Sequence, residues 1–214
     1  VTHESSRAWT AIASSGKGDI LAACGTSINI YISTNYGVSW TSRDSPRAWT
    51  SIAVSTDGVR MVACVNGGFV YTSSNSGVTW TQQTGAGSCA WTGISMSGAG
   101  DKIFAVCNTG VYISYDFGIN WEPYSFPVND LRSVAVSRDG KKAIAGAYGT
   151  TNLYIWSEDD GVKGPTGPVG QQTMIETFPK WHGPYLTNQN WRHSACSYDG
   201  QYMMIGITSG ALYT

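Results

Sequence analysis

The sequence predicts an all-β protein, a β-propeller of four-stranded antiparallel blades, and three observations carry that prediction. A unit of about 40 residues recurs along the chain, a period typical of propeller blades. Each unit divides into short apolar or alternating runs bounded by Gly, Asn, Asp and Ser, as in WTSIAVS, RMVACV and GFVYTS, which is the pattern of strands joined by tight turns. No stretch has the length or the helical period of an amphipathic helix.

Several unlike markers recur in the same order, which is what separates a true repeat from chance similarity. A Ser-x-x-Gly turn begins at Ser15, Ser55, Ser97, Ser137 and Ser197, at intervals of 40, 42, 40 and 60 residues. The last interval therefore holds an insertion of roughly 20 residues. Before each turn stands Trp9, Trp49, Trp91, Leu131 or Trp191, and after it Ala23, Ala63, Ala105, Ala145 or Ile205. A tyrosine follows at Tyr31, Tyr71, Tyr112, Tyr154 and Tyr213. The first strand of a blade thus holds the Trp-Thr-x-Ile-Ala segment, the second the Ala-Ala-Cys type of run and the third the tyrosine. The fourth begins at the next tryptophan.

Composition agrees. Charged residues make up 13% of the 214, about half the usual share, while 26 Gly, 9 Trp and 12 Tyr suit many short strands and turns. The formal net charge is −1 and there is no Lys/Arg run, which argues against a nucleic-acid partner. No apolar stretch approaches the ~18 residues of a membrane helix, so membrane insertion is not expected, and residues 1–10 lack the features of a signal peptide. Cys24 and Cys64 share one repeat position inside apolar runs and read as small buried hydrophobes. Cys89, Cys107 and Cys196 stand elsewhere in the repeat, and no Cys/His spacing suggests zinc. The cysteines favour, weakly, folding in a reducing compartment; localisation is otherwise open.

One turn type is the most specific signal. Ser33-Thr-Asn35-Tyr-Gly37-Val-Ser-Trp40, Ser73-Ser-Asn75-Ser-Gly77-Val-Thr-Trp80 and Ser114-Tyr-Asp116-Phe-Gly118-Ile-Asn-Trp121 follow one pattern, and Ser157-Glu-Asp159-Asp-Gly161 matches its first half. Asn or Asp can accept hydrogen bonds from nearby backbone N–H groups, Gly supplies a positive φ, and Trp covers the hairpin. This pattern resembles the Asp-box, or BNR, repeat. The resemblance implies a propeller of the kind found in sialidases, some glycoside hydrolases, sortilin-like receptors and photosystem II assembly factors. In those proteins the box is a folding element, so it transfers no catalytic role.

Residues 1–214 are expected to form one propeller domain with a long inserted loop at about 162–190. The segment from His3 to Ala13 aligns with Arg43 to Ala53, and Tyr213-Thr214 aligns with Tyr31-Ile32, so both ends fall at one hairpin. Five blades closed by pairing of the N- and C-terminal segments is the expectation, with a fragment of a six- or seven-bladed ring as the alternative.

Catalytic chemistry finds little support. Sialidase chemistry needs several arginines, a tyrosine nucleophile and acidic partners, and the arginines here are few. Arg7 and Arg47 repeat one position and read as blade-edge residues. Asp57, Asp139 and Asp199 lie in the Ser-x-x-Gly turns, where turn formation explains them. His3, His182 and His193 form neither a metal spacing nor a triad, so no catalytic residue, metal or cofactor is expected. The repeated tryptophans read as packing between blades. The insertion opens with three collagen-like Gly-x-y triplets from Gly161 to Gly170, too short for a triple helix. It continues through Lys180, Trp181, His182 and Tyr185, residues the repeat does not need, which makes them candidate ligand contacts or a cover over one face. The leading functional reading is a non-enzymatic module that binds a glycan or a protein. The alternatives are a structural or host-attachment domain of a larger assembly such as a virion or fibre, and a sialidase-like or other glycoside hydrolase.

Overall fold

The computed structural model of the chain describes residues 6–124, 130–148, 153–158, 191–196, 203–207 and 212–213, and every regular element among them is a strand. The first blade contains β1 (Trp9–Ser14), β2 (Leu21–Ser33) and the opening of β3 (Thr41–Val54). The rest of β3 starts the second blade, followed by β4 (Met61–Gly68), β5 (Val70–Ser73) and β6 (Thr81–Gln83). The third holds β7 (Cys89–Met96), β8 (Ile103–Cys107), β9 (Gly110–Ser114) and β10 (Glu122–Tyr124). The fourth holds β11 (Leu131–Val136), β12 (Lys142–Ala147) and β13 (Leu153–Ser157). Last come β14 (Trp191–Cys196), β15 (Met203–Ile207) and β16 (Leu212–Tyr213).

All pairing is antiparallel, as the propeller expectation requires, and the register repeats. Trp9 faces Gly25, Trp49 faces Val65, Trp91 faces Cys107, Leu131 faces Ala147 and Trp191 faces Ile207, each followed by a bulge one residue later. One departure from separate four-stranded sheets is visible. The second-to-third connections of the first two blades run on beside the next blade's entry segment, pairing Thr26 with Ala48 and Asn66 with Ala90. Those extra rungs join the first three blades into one ten-stranded sheet.

The core lies between blades. Trp49 and Ile52 pack on Ala22, Cys24, Ile30 and Ile32 of the first blade; Trp91 and Ile94 pack on Val62, Cys64 and Val70 of the second. Leu131 and Val134 pack on Phe104, Val106, Val111 and Ile113 of the third. Each blade tryptophan meets its own blade's tyrosine edge to face, with centroids 5.4, 5.2 and 5.0 Å apart for Trp9–Tyr31, Trp49–Tyr71 and Trp91–Tyr112. Such contacts add about 0.5–1.5 kcal/mol beyond area burial, so the tryptophan column is a packing device.

Candidate functional site

Turn chemistry fixes one end of the first three blades. In the Ser-x-Asn/Asp-x-Gly-x-x-Trp turns, the buried Ser33, Ser73 and Ser114 hydroxyls accept the N–H of Gly37, Gly77 and Gly118 at 2.9, 3.0 and 2.8 Å. Asn35, Asn75 and Asp116 accept the N–H of Ser39, Thr79 and Asn120 at 2.9, 2.9 and 2.8 Å. Trp40, Trp80 and Trp121 donate their indole N–H to the carbonyls of Gly37, Gly77 and Gly118. Each turn is hung on the Ser-x-x-Gly turn of its own blade, because Tyr36, Ser76 and Phe117 donate N–H to the carbonyls of Asp19, Val59 and Asp101. Those three residues precede the glycine and adopt positive φ of 59°, 56° and 59°, a feature the sequence pattern did not announce. In the fourth copy Ser157 ends β13, while Asp159 and Gly161 lie outside the described residues.

The Ser-x-x-Gly turns join neighbouring blades through backbone bonds from Gly16 N to Thr56 O, Thr56 N to Gly98 O and Gly98 N to Arg138 O, at 2.8, 2.8 and 2.7 Å. Within them Ser55 and Ser137 donate to the carboxylates of Asp57 and Asp139 at 2.6 Å, and these hydroxyls are the main cause holding both carboxyl groups below their ordinary pKa. A carboxylate stabilised in its charged form is a poor proton donor, and here it serves the turn.

The inner strands β1, β3, β7 and β11 with Ala195 of β14 surround a cavity of about 870 Å³. The bulge after Trp9, Trp49 and Trp91 places a threonine at the seam. Thr10 and Thr50 donate to the carbonyls of Trp49 and Trp91 of the following blade at 2.9 Å, and Thr92 to that of Leu131. The fourth blade breaks this column, since Arg132 takes the threonine position. Its guanidinium reaches Asp130 at 2.7 Å and lies 5.4 Å from the centre of the Tyr148 ring. Asp130 carries a positive φ of 74°, uncommon outside glycine and frequent at functional sites. Asn66, Ala90, Asn108, Asp130 and Arg132 line the cavity at the ends where the inner strands begin, forming a polar mouth. Arg7 and Arg47 stack on Tyr31 and Tyr71 at 4.6 and 4.5 Å, in keeping with blade-edge residues.

Cys24 and Cys64 are buried free thiols, both pushed up to about 12 by burial. Cys89 and Cys107 form a disulfide, which the sequence reading did not anticipate. The register explains it: Cys107 faces Trp91, and Cys89 lies two residues before that tryptophan, so the pair meets across the first rung. This bond removes the cysteine argument for a reducing compartment. Among the described residues no His, Cys, Asp and Glu cluster could hold a metal ion, and no helix is long and apolar enough to cross a membrane. The candidate contacts Lys180, Trp181, His182 and Tyr185 lie outside the described residues. Sequence reasoning missed Asn66, Asn108, Asp130 and Arg132; the available signal was the break in the Thr10, Thr50, Thr92 column.

No protein-family model matches the sequence, and no curated protein matches it. Solved structures do, at the level of fold. The β-propeller domain of Cps50 (Swd1) from Myceliophteria thermophila is 12% identical over 98% of this chain and 70% of its own, with a TM-score of 0.67. An ancestral GH74 enzyme is 16% identical over 95% of this chain and 30% of its own, with a TM-score of 0.68. YCF48 bound to D1 peptide is 15% identical over 95% of this chain and 62% of its own, with a TM-score of 0.61. The chain therefore spans about a third of the GH74 enzyme and under two thirds of YCF48.

Proposed function

We propose that this chain is a non-catalytic propeller module of the Asp-box type that binds an extended protein segment at the channel mouth. The observation that supports it is the mouth itself. Asn66 and Asn108 carry amide side chains suited to backbone N–H and C=O groups, and Asp130 and Arg132 already neutralise one another. A neutral, donor-and-acceptor-rich rim suits peptide amides better than a free ion. YCF48, a propeller of similar fold, was solved bound to a peptide. The hydrolase reading finds less support: Asp130 is the one carboxylate among the described lining residues, whereas two-carboxylate hydrolysis needs a facing pair. The reading would extend to Lys180, Trp181, His182 and Tyr185, which precede β14 in sequence and include Trp and Tyr, residue types that dominate binding energy at interfaces.

The test is a random-peptide display selection run beside a glycan array and aryl-glycoside assays on the same protein. Selected peptides should lose about tenfold or more in affinity on Arg132→Ala and on Trp181→Ala. Array binding without peptide binding would convert the module to a lectin, and glycoside turnover would overturn the non-catalytic reading.

A further inference from the structure

We infer that the Cys89–Cys107 disulfide is a redox-sensitive staple that holds the channel mouth in shape, a regulation that rests on the mouth being the binding site proposed above. Its place in the repeat makes the case. In the first two blades the position two residues before the tryptophan holds Arg7 and Arg47, whose guanidinium groups clamp the entry segment onto Tyr31 and Tyr71. In the third blade that position is Cys89, and the residue facing the tryptophan, Gly25 and Val65 in the earlier blades, is Cys107. A covalent clamp has replaced a cation–π clamp.

Three mouth elements converge on this bond. Gly68 pairs with Cys89 and Asn66 with Ala90, while Ser88 donates to the Gly67 carbonyl at 3.2 Å. Asn108 Oδ1 lies 3.3 Å from Cys89 Sγ, and Thr109 Oγ1 lies 3.2 Å from Cys107 Sγ. Asn66, Ala90 and Asn108 all line the cavity. Opening the bond therefore frees the Cys89 entry segment, which pairs with Gly68 of the second blade, from the end of β8 that leads into Asn108, and no arginine stands ready to replace the clamp.

The chemistry is ordinary thiol–disulfide exchange. Cys107 is fully buried and Cys89 only partly, so a dithiol's thiolate attacks Cys89 Sγ, the S–S bond breaks and Cys107 leaves as thiolate. The second thiol of the reagent then closes the cyclic disulfide and frees Cys89; two electrons and two protons end on the protein sulfurs. Cys24 and Cys64, buried and protonated, do not compete as nucleophiles.

Amide hydrogen exchange on the unliganded full chain, with and without dithiothreitol, tests the staple without any ligand. Reduction should expose two further thiols and speed exchange about tenfold or more in peptides covering 86–90 and 108–110. Peptides around Arg7 and Tyr31 should not respond. The Cys89→Arg/Cys107→Val protein, which installs the second blade's residues, should exchange like the oxidised protein in either condition. Equal exchange before and after reduction, or a thiol count that does not rise by two, would falsify the staple. A staple that opens while no peptide binds leaves it standing and removes the binding reading instead.

Discussion

Gly77 occupies a left-handed backbone position with φ of 78°, and a Cβ there would lie 2.8 Å from Ile32 Cγ1 and 3.1 Å from Met61 Sδ. Gly18 has a similar φ of 72° and nothing within 4 Å. The two therefore separate backbone strain from overpacking. Gly18→Ala is expected to cost only the left-handed penalty of about 1–2 kcal/mol, and Gly77→Ala a further 1–3 kcal/mol or so from the displaced core, as read by urea denaturation. The turn acids make a second prediction at this scale. Asp57 and Asp139 have folded pKa values below the ordinary 3.8 because Ser55 and Ser137 donate to the carboxylates. Their stabilisation is fully present above the unfolded pKa and is lost as pH falls through the lower folded values. The urea midpoint should fall as pH drops below about 4, and the Ser55→Ala/Ser137→Ala protein should show a flatter acid limb with both carboxyl resonances titrating nearer 3.8.

Between strands, the tryptophan column offers a matched pair. Trp49 and Trp91 are both fully buried at equivalent places, yet Trp91 donates to the Gly68 carbonyl at 3.1 Å while the Trp49 indole nitrogen has no partner. Replacement by Phe removes similar volume at both sites, so the difference isolates the hydrogen bond. Trp91→Phe should be the costlier by about 1 kcal/mol, measured from denaturation midpoints at constant m-value. The strand ladder was legible in the sequence for a physical reason: turn residues and large aromatics at fixed spacing are demanded by local geometry, so Ser55, Gly77 and Trp80 repeat visibly. The candidate mouth was less legible, because nothing in the local turn pattern marks which residues meet there. Arg132 shows in the sequence as a break after Thr10, Thr50 and Thr92, but its place at the cavity mouth follows only from the fold, and Cys89 meets Cys107 only once Trp91 is seen to face Cys107. Register, which decides both, follows from long-range pairing that no local window contains.

Across the whole molecule, the successive inner strands bury one flank of each blade against its predecessor, and β1 stands apart. Ile52, Ile94 and Val134 are 5%, 4% and 8% exposed, whereas Ile12 at the same position is 79% exposed and Trp9 is 36% exposed. Among the described residues, then, nothing covers the first blade's flank. A ring of five closed blades would place the last blade against β1 and bury that flank as Trp49 and Ile52 are buried. Charge insertion reads the difference directly, since an unpaired carboxylate costs several kcal/mol when buried and little when solvated. Ile52→Glu should lower stability by about 3 kcal/mol or more, or prevent folding, and Ile12→Glu should stay within about 0.5 kcal/mol of the parent. Both are measured by thermal and urea unfolding of the same preparation, with the parent's oligomeric state fixed by light scattering. A large loss at Ile12 in a monomer would show that the ring closes over β1, and the same loss confined to a dimer would assign the cover to a second copy.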